Sequence, residues 1–413
     1  MTEAGEAPRE ARVERLNRAG EGVAGGEAAL TVPFALPGER VRGLPVDGIL
    51  VPDEIVEAAP ERVTPPCRHF GTCGGCALQH ASDAFLARWK RETVEVALAR
   101  HGLSAPFRPV ATSPARSRRR ASFAGRRTRK TVALGFHARR SEAVVDIIEC
   151  PLIRPELLAA KPLLAEFTAL GAGRGGTIRL ALTSSEGGLD LDVREAKPLD
   201  GAGLVAAARL AEAGEFARLS WNGETVALRR PPWQAFGAAR VTPPPGGFLQ
   251  ATAEGQAALT GAVLEAAGGA RRVADLFSGC GTFSLPLAEG AEVRAVENSA
   301  PALAALDRGW REARGLRRVT TERRDLFRRP LTGAELDAFE AVVLDPARAG
   351  AEAQSRALAA SRVRRVAMVS CDPVTFARDV AILAEGGYRL DWVQVVDQFR
   401  WSGHVEIAAA LTR

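Results

Sequence analysis

Three regimes of hydrophobic and polar spacing follow one another along this chain of 413 residues. Over residues 12–60, apolar and polar positions alternate in short runs broken by glycine and proline: RVERLNRAGEGVAG, AALTVPFALPGERVRG, GILVPDEIVEAAP. That period of two, with no helical stretch, predicts a small β-barrel. Barrels of this kind often bind oligonucleotides, although one that serves only packing has the same pattern. FLARWKRETVEVALARHG then switches to the helical period, setting Phe85, Leu86, Trp89, Val94, Val96 and Leu98 against Arg88, Lys90, Arg91 and Glu92. RRASFAG and TVALGFH read as a hairpin turning at RRTRK, followed by the strands TIRLALTS and GLDLDVRE and the Ala-rich helix LVAAARLAEAG. Beyond the connection VTPPPGG (241–247), strands such as RRVADLF, EVRAVE, FEAVVLD and VRRVAMVS alternate with helices such as PALAALDRGWREARG and PVTFARDVAILAEGG. This α/β order predicts a doubly wound sheet with ligands at the carboxyl ends of its strands.

Charge adds a direction to that outline. The net charge is +6, and only four of the 55 basic residues are lysine (Lys90, Lys130, Lys161, Lys197). A GC-rich genome produces the same arginine bias, so the distribution matters more than the total. Residues 116–140 hold ten basic residues and no acid, an arrangement that repels itself unless it faces a polyanion. No apolar run is long enough to cross a bilayer, and MTEAGEAPREARVERLNRAGEG has no apolar core of a secretory signal. A cytoplasmic protein with no membrane partner is expected, and its six cysteines then read as metal ligands or catalytic thiols before disulfides.

Three of those cysteines stand within PCRHFGTCGGCALQH, spaced Cys67-x5-Cys73-x2-Cys76, and suggest ligands around a metal centre; the next is Cys150. VADLFSGCGTFSLPLA reads as strand, glycine turn and helix, with Gly279 and Gly281 letting the backbone approach a ligand. Glu297 ends the next strand 18 residues beyond Gly279, where it can accept hydrogen bonds from ribose hydroxyls. Asp275 in ADLFSGCG favours S-adenosylmethionine over a dinucleotide, and Cys280 reads as a packing residue. In RVAMVSCDPVTFARD a strand runs into a helix, with Asp372 as N-cap and Pro373 as first helical residue. Cys371 then stands at the positive end of the helix dipole, which lowers a thiol pKa, with Asp372 opposing in part. Asp345 in VVLDPARAG, with Arg348 after it, and Glu406 in GHVEIAAAL reach the same edge. A methyl donor, a thiol and a carboxylate base suit methylation of C5 of uracil: the thiolate adds at C6, the resulting enolate takes the methyl group, and a base removes the C5 proton.

The segments CRHFGTCGGCALQH, IECPLI, FLQAT, DLFSGCGTFSLP, AVEN, DPARAG, SCDPVTFARD and GHVEIAAAL run in family order, and the chain resembles the RNA uridine-C5 methyltransferases. The resemblance implies three parts: a TRAM-like (OB-like) β-barrel over 1–62, an α+β central domain over 63–245 carrying an iron-sulfur cluster and the basic RNA-facing hairpin, and a Rossmann-type methyltransferase domain over 246–413. It assigns Cys371 as nucleophile and Glu406 as base, and Gln250, Phe277, Thr282, Glu297, Asp325 and Asp345 to S-adenosylmethionine. Cys67, Cys73, Cys76 and Cys150 would hold a [4Fe-4S] cluster, with zinc as the alternative and His69 and His80 as spare ligands. The expected activity is 5-methyluridine formation in RNA, 23S rRNA before tRNA, by a monomer. The alternatives are a tRNA uridine-C5 enzyme, an RNA cytosine-C5 methyltransferase and a non-catalytic RNA-binding iron-sulfur protein. The family commonly has Asn at the positions of Thr282 and Asp372 and Pro at that of Ala347; Asp372 thus adds a charge beside the nucleophile.

Overall fold

A computed structural model of the chain describes residues 7–25 and 29–413. Residues 1–6 and 26–28 of the expected barrel region lie outside the described residues.

Five strands, Arg9–Leu16, Gly22–Ala24, Leu30–Val32, Arg40–Val46 and Ile49–Glu57, close into a barrel. Strict alternation in Arg40–Val46 turns Val41, Gly43 and Pro45 inward, where Val13, Ala24, Val32 and Leu50 meet them. A side chain at Gly43 would collide with the Val51 carbonyl, so the tight approach of these two strands requires glycine there.

The second sheet has seven strands in the order Glu224–Leu228, Arg218–Trp221, Gly188–Arg194, Thr177–Ser185, Arg120–Arg127, Val132–His137, Val144–Asp146. The expected hairpin is there, pairing Ala124 with Gly135. Helices Lys161–Gly171 and Gly201–Ala213 pack on this sheet over a core that includes Phe123, Phe167, Phe216, Leu180 and Trp221.

The third sheet is doubly wound, with the order Val319–Arg323, Glu292–Glu297, Arg272–Leu276, Ala341–Leu344, Arg365–Ser370, Glu406–Thr412, Arg389–Asp397, Ala111–Thr112. Its first five strands are parallel, and Glu406–Thr412 runs antiparallel to both neighbours. The strand order reverses between Arg272–Leu276 and Ala341–Leu344, so their carboxyl ends open a crevice.

Three features here depart from the sequence reading. The edge of the catalytic sheet is closed by Ala111–Thr112, a strand too short to show a period. Helix Asp83–Ala99 packs on the same sheet, giving Val94, Ala97 and Leu98 to its core, while Val96 is exposed. Lys90, expected on the polar face of that helix, is fully buried and donates to Asp397 Oδ1 at 2.5 Å and to the Phe399 carbonyl at 3.1 Å.

Candidate active site

The crevice begins at the turn after Arg272–Leu276. Phe277, Gly279 and Gly281 all adopt positive φ, 65°, 54° and 92°. A side chain at Gly281 would strike Leu306, whereas the equivalent position at Gly279 faces open space, leaving its backbone accessible to a ligand. The N–H of Gly279 donates to Glu297 Oε2 at 3.1 Å, and Glu297 Oε1 accepts from the amides of Asn298 (2.7 Å) and Ser299 (2.8 Å). The carboxylate is therefore fixed at the end of its strand. Asp325 Oδ1 caps the next loop through the amides of Phe327 and Arg328. Phe277 and Phe327 stand with ring centroids 5.3 Å apart at one wall of a cavity of about 350 Å³, which runs on to Gly350 and Gln354. Thr282 ends the turn half-buried, and Cys280 is buried, its thiol pushed up to about 12 by that burial.

Acid groups crowd this rim. Asp275 is fully buried; it accepts from Ser284 Oγ at 2.5 Å through Oδ2, while Oδ1 has no partner. Burial pushes it up to about 7. Asp345 is likewise pushed up to about 7, first by burial and then by Asp275 and Glu297. Carboxylates held this far above their ordinary range form a site short of positive charge, suited to a cationic ligand such as a sulfonium.

Strand register sets the second half of the site. Ser370 pairs with Ile407 across an antiparallel ladder, so Cys371 leaves one strand and Glu406 enters the other at the same edge, where the charge of Glu406 acts on the thiol. Leu344 pairs with Met368 on the other side, bringing Asp345 to the same edge. Asp372 caps helix Pro373–Glu385 as expected, accepting from the amides of Val374 (2.9 Å) and Thr375 (3.2 Å).

The helix N-terminus does not lower the thiol, however. Burial pushes Cys371 up to about 11, Glu406 and Asp345 add to this, and Arg348 opposes it. The expected dipole effect is outweighed because half-buried sulfur faces two carboxyl groups at short range. Glu406, 5% exposed, is itself pushed up to about 8, first by burial and then by Asp345, against a hydrogen bond from Gln398 and the charge of Arg348. Arg348 also contacts His404 Nδ1 at 3.1 Å.

One residue of this site was not singled out from the sequence. Gln398, 1% exposed, donates to Gln250 Oε1 at 2.5 Å and accepts from the Ala251 amide at 2.8 Å, so it joins Gln250 to Glu406. A polar residue directly after the buried strand end VVD was the available signal. Phe248, two positions before Gln250, is 68% exposed on the same segment.

The four cysteines outside the crevice converge as a separate group. Cys67, Cys73, Cys76 and Cys150 are free, half-buried, and line one cavity of about 220 Å³ with His69 and Arg118. The Gly75 amide donates to Cys73 Sγ at 3.4 Å, and burial together with neighbouring cysteines pushes Cys76 up to about 12. Among the described residues, no three His, Cys, Asp or Glu side chains form a group that could hold a metal ion. His69 Nε2 already accepts the Ile148 amide at 3.1 Å. His80 is not on the cavity wall; it is buried beside Phe34 and Phe70 and lowered to about 4 by burial, so it does not serve as a spare ligand. The cysteine loop reaches the crevice indirectly, because the amides of Ala77 and Leu78 donate to the Trp401 carbonyl at 2.9 and 3.0 Å, ahead of Glu406.

The basic run 116–140 divides into two. Arg126, Arg127, Arg129 and Lys130 are exposed at the hairpin turn. Arg118, Arg119 and Arg120 point inward: Arg119, 5% exposed, donates to the Gln250 carbonyl at 3.0 Å and to Gln234 and Gln256, and Arg120 donates to the carbonyls of Gly246 and Gly247. Arg119 and Arg120 fasten the Gln250 segment and the connection 241–247 rather than face a polyanion, while Arg118 donates to the Arg120 carbonyl.

Residues 244–413 match the family described as tRNA (Uracil-5-)-methyltransferase. An uncharacterized RNA methyltransferase of Brucella suis is 48% identical over 402 residues, 97% of each chain. The 23S rRNA (uracil(1939)-C(5))-methyltransferase RlmD of Chromohalobacter salexigens is 36% identical over 428 residues, covering 97% of this chain and 88% of that one. Among solved structures, the Pyrococcus abyssi tRNA (uracil-54, C5)-methyltransferase in complex with S-adenosyl-L-homocysteine superimposes over 98% of this chain and 99% of that one, with TM-score 0.76 and 24% identity, a likeness of fold. No helix among the described residues is long and apolar enough to cross a membrane. Kinship of this extent, together with the fold, places the chain in the RNA uracil-C5 methyltransferase family.

Proposed function

We propose that this protein is an S-adenosylmethionine-dependent methyltransferase that forms 5-methyluridine in 23S rRNA, acting in the cytoplasm as a monomer divided near residues 62 and 245. The observation that carries the reading is that Cys371, Glu406 and Asp345 share one strand edge, where both carboxyl groups act on the thiol. The preference for rRNA rests on the Chromohalobacter salexigens relative, whose match spans almost the whole chain.

In this reading the target uridine leaves its RNA stack, because C5 and C6 must be reached from both faces of the ring. Phe248 offers an exposed aromatic face on which a base can stack. Cys371 reacts as its thiolate, the proton having passed to solvent, and its sulfur bonds to C6, moving the ring electrons towards C5 and O4. Gln250, Phe277, Thr282, Glu297, Asp325 and Asp345 would hold S-adenosylmethionine, which would supply the methyl group as an electrophile and leave as S-adenosylhomocysteine. Glu406 then accepts the C5 proton, the C5–C6 double bond re-forms, and the sulfur of Cys371 departs. Buried carboxylates fit a cationic ligand, since its charge lowers both their pKa values and that of the thiol.

Cys67, Cys73, Cys76 and Cys150, which line one cavity although their side chains are not drawn together as a ligand group, would hold a [4Fe-4S] cluster. Four thiols surround a void, and the donor set is all sulfur once His69 and His80 are set aside. Its role in this reading is structural, since the cavity is lined by none of Cys371, Glu406 and Asp345.

The test is product identity. The protein is incubated with labelled S-adenosylmethionine and total RNA from a strain lacking it, and the nucleosides are separated. Label in 5-methyluridine mapped to 23S rRNA is expected. Label in tRNA moves the substrate, label in 5-methylcytidine overturns the base assignment, and no label with cofactor bound favours a non-catalytic RNA-binding protein.

A further inference from the structure

The part of the barrel that meets the catalytic crevice is one turn, Asn17–Glu21. Asn17 Oδ1 accepts the amides of Ala19 (2.9 Å) and Glu21 (3.0 Å), and Asn17 Nδ2 donates to Glu21 at 3.1 Å. Glu21, 5% exposed, is held in turn by Arg139 and Arg140. Gly20 sits against Leu78 at φ 80°, where a side chain would overlap it. The turn is therefore fixed from within and from behind.

Its outer side touches both catalytic loops. The Arg18 carbonyl lies against Gly403, three residues before Glu406, so closely that no side chain fits there. The Arg18 guanidinium pairs with Asp372 Oδ2, next to Cys371, across 354 residues of sequence. The two oxygens of Asp372 thus have separate tasks: Oδ1 caps the helix and Oδ2 takes the arginine.

We propose that Arg18 is a positioning residue for methyl transfer: it neutralises Asp372 beside Cys371 and ties the barrel turn to the loop that carries the nucleophile. The proposal rests on the reading of Cys371 given above. Three carboxyl groups face or adjoin this thiol, namely Glu406, Asp345 and Asp372; against them stand Arg348, which also holds His404, and Arg18. Removing the arginine leaves Asp372 as an unopposed negative charge one residue from the sulfur, which disfavours the thiolate. As a surface pair, with side-chain exposures of 57% and 18%, it contributes little to folding. Its effect is on ionisation of the neighbour.

The experiment compares wild type, Arg18→Met, Asp372→Asn and the double variant. The readouts are the pH dependence of Cys371 alkylation by iodoacetamide, followed by peptide mapping, and kcat and KM for RNA methylation. Arg18→Met should raise the alkylation midpoint by about one pH unit, which is about a tenfold loss of thiolate below it, and lower kcat accordingly. The double variant should match Asp372→Asn, because the charge that Arg18 opposes is gone. An unchanged alkylation midpoint in Arg18→Met overturns the proposal, and so does a rise confined to KM that Asp372→Asn does not rescue, the behaviour of a phosphate contact. Failure of the underlying reading is separately visible, since Cys371→Ala would then still methylate RNA whatever the alkylation series shows.

Discussion

Lys90→Met tests how far the N-terminal half holds the catalytic sheet together. Lys90 and Asp397 are 0% and 1% exposed at their side chains and joined at 2.5 Å, with Phe399 O as the lysine's second acceptor at 3.1 Å. Each buried ion loses several kcal/mol of hydration, and the pair offsets this only while both partners are present. Methionine preserves much of the side-chain volume, so the variant isolates the carboxylate left without a counter-charge, a loss of about 3–5 kcal/mol. At about 2.1 cal/mol/K per residue, 4 kcal/mol over a chain of this length lowers Tm by about 5 °C. Urea unfolding followed by tryptophan fluorescence measures the free energy, with Lys90→Met/Asp397→Asn as the control. The double variant should recover most of the loss, because no bare charge remains. A loss below about 1 kcal/mol in the single variant, or a double variant no better than the single, would refute the account of a mutually dependent buried pair.

Four further outcomes are expected. Since Glu406 is pushed up to about 8 and must act as a carboxylate, kcat/KM should rise with pH through about 8; Glu406→Gln should stop turnover yet accumulate an RNA–protein adduct on denaturing gels, and free product from that variant would exclude the role. Asp275 and Asp345, raised to about 7, bind more protons folded than unfolded, so the ligand-free protein should lose stability from about pH 4 to 7; Asp345→Asn should flatten that decline in a thermal-shift series. Replacing Arg126, Arg127, Arg129 and Lys130 by alanine should weaken RNA binding and reduce its salt slope by about 0.7 per lost contact, whereas Arg119→Ala should act on stability first. Protein purified without oxygen should be brown with about four iron atoms per chain, and a colourless protein with one zinc would overturn the cluster.

What was legible in the sequence was whatever has a period or a local motif. The barrel strands alternate, the doubly wound strands and helices follow in order, and the turn at Gly279 and the cap at Asp372 are local features with local causes. Long-range partners carried no such signal. Lys90 looked like an ordinary charge on a helix face because its partner lies 307 residues away. Arg119 and Arg120 looked like the rest of a basic run because the carbonyls they serve belong to another segment. The ionisation of Cys371 shows the same limit: the helix end is visible in the sequence, but the burial of the thiol and the two carboxyl groups that act on it are not.

Closure of the catalytic sheet by Ala111–Thr112 and helix Asp83–Ala99 has a consequence for synthesis. The ribosome emits Lys90 long before its partner, and 307 residues at about 5–20 residues per second leave on the order of half a minute between them. Through that interval the helix has an apolar face and a lysine with nowhere to go, and the barrel and central sheet must fold around it unfinished. A fragment beginning near residue 246 would meet the converse problem, with Arg389–Asp397 an open edge ready to pair with another chain. The enzyme is thus a closed loop in time as well as in space: its first half remains incomplete until the last two strands arrive, and those strands have no finished sheet to join without it.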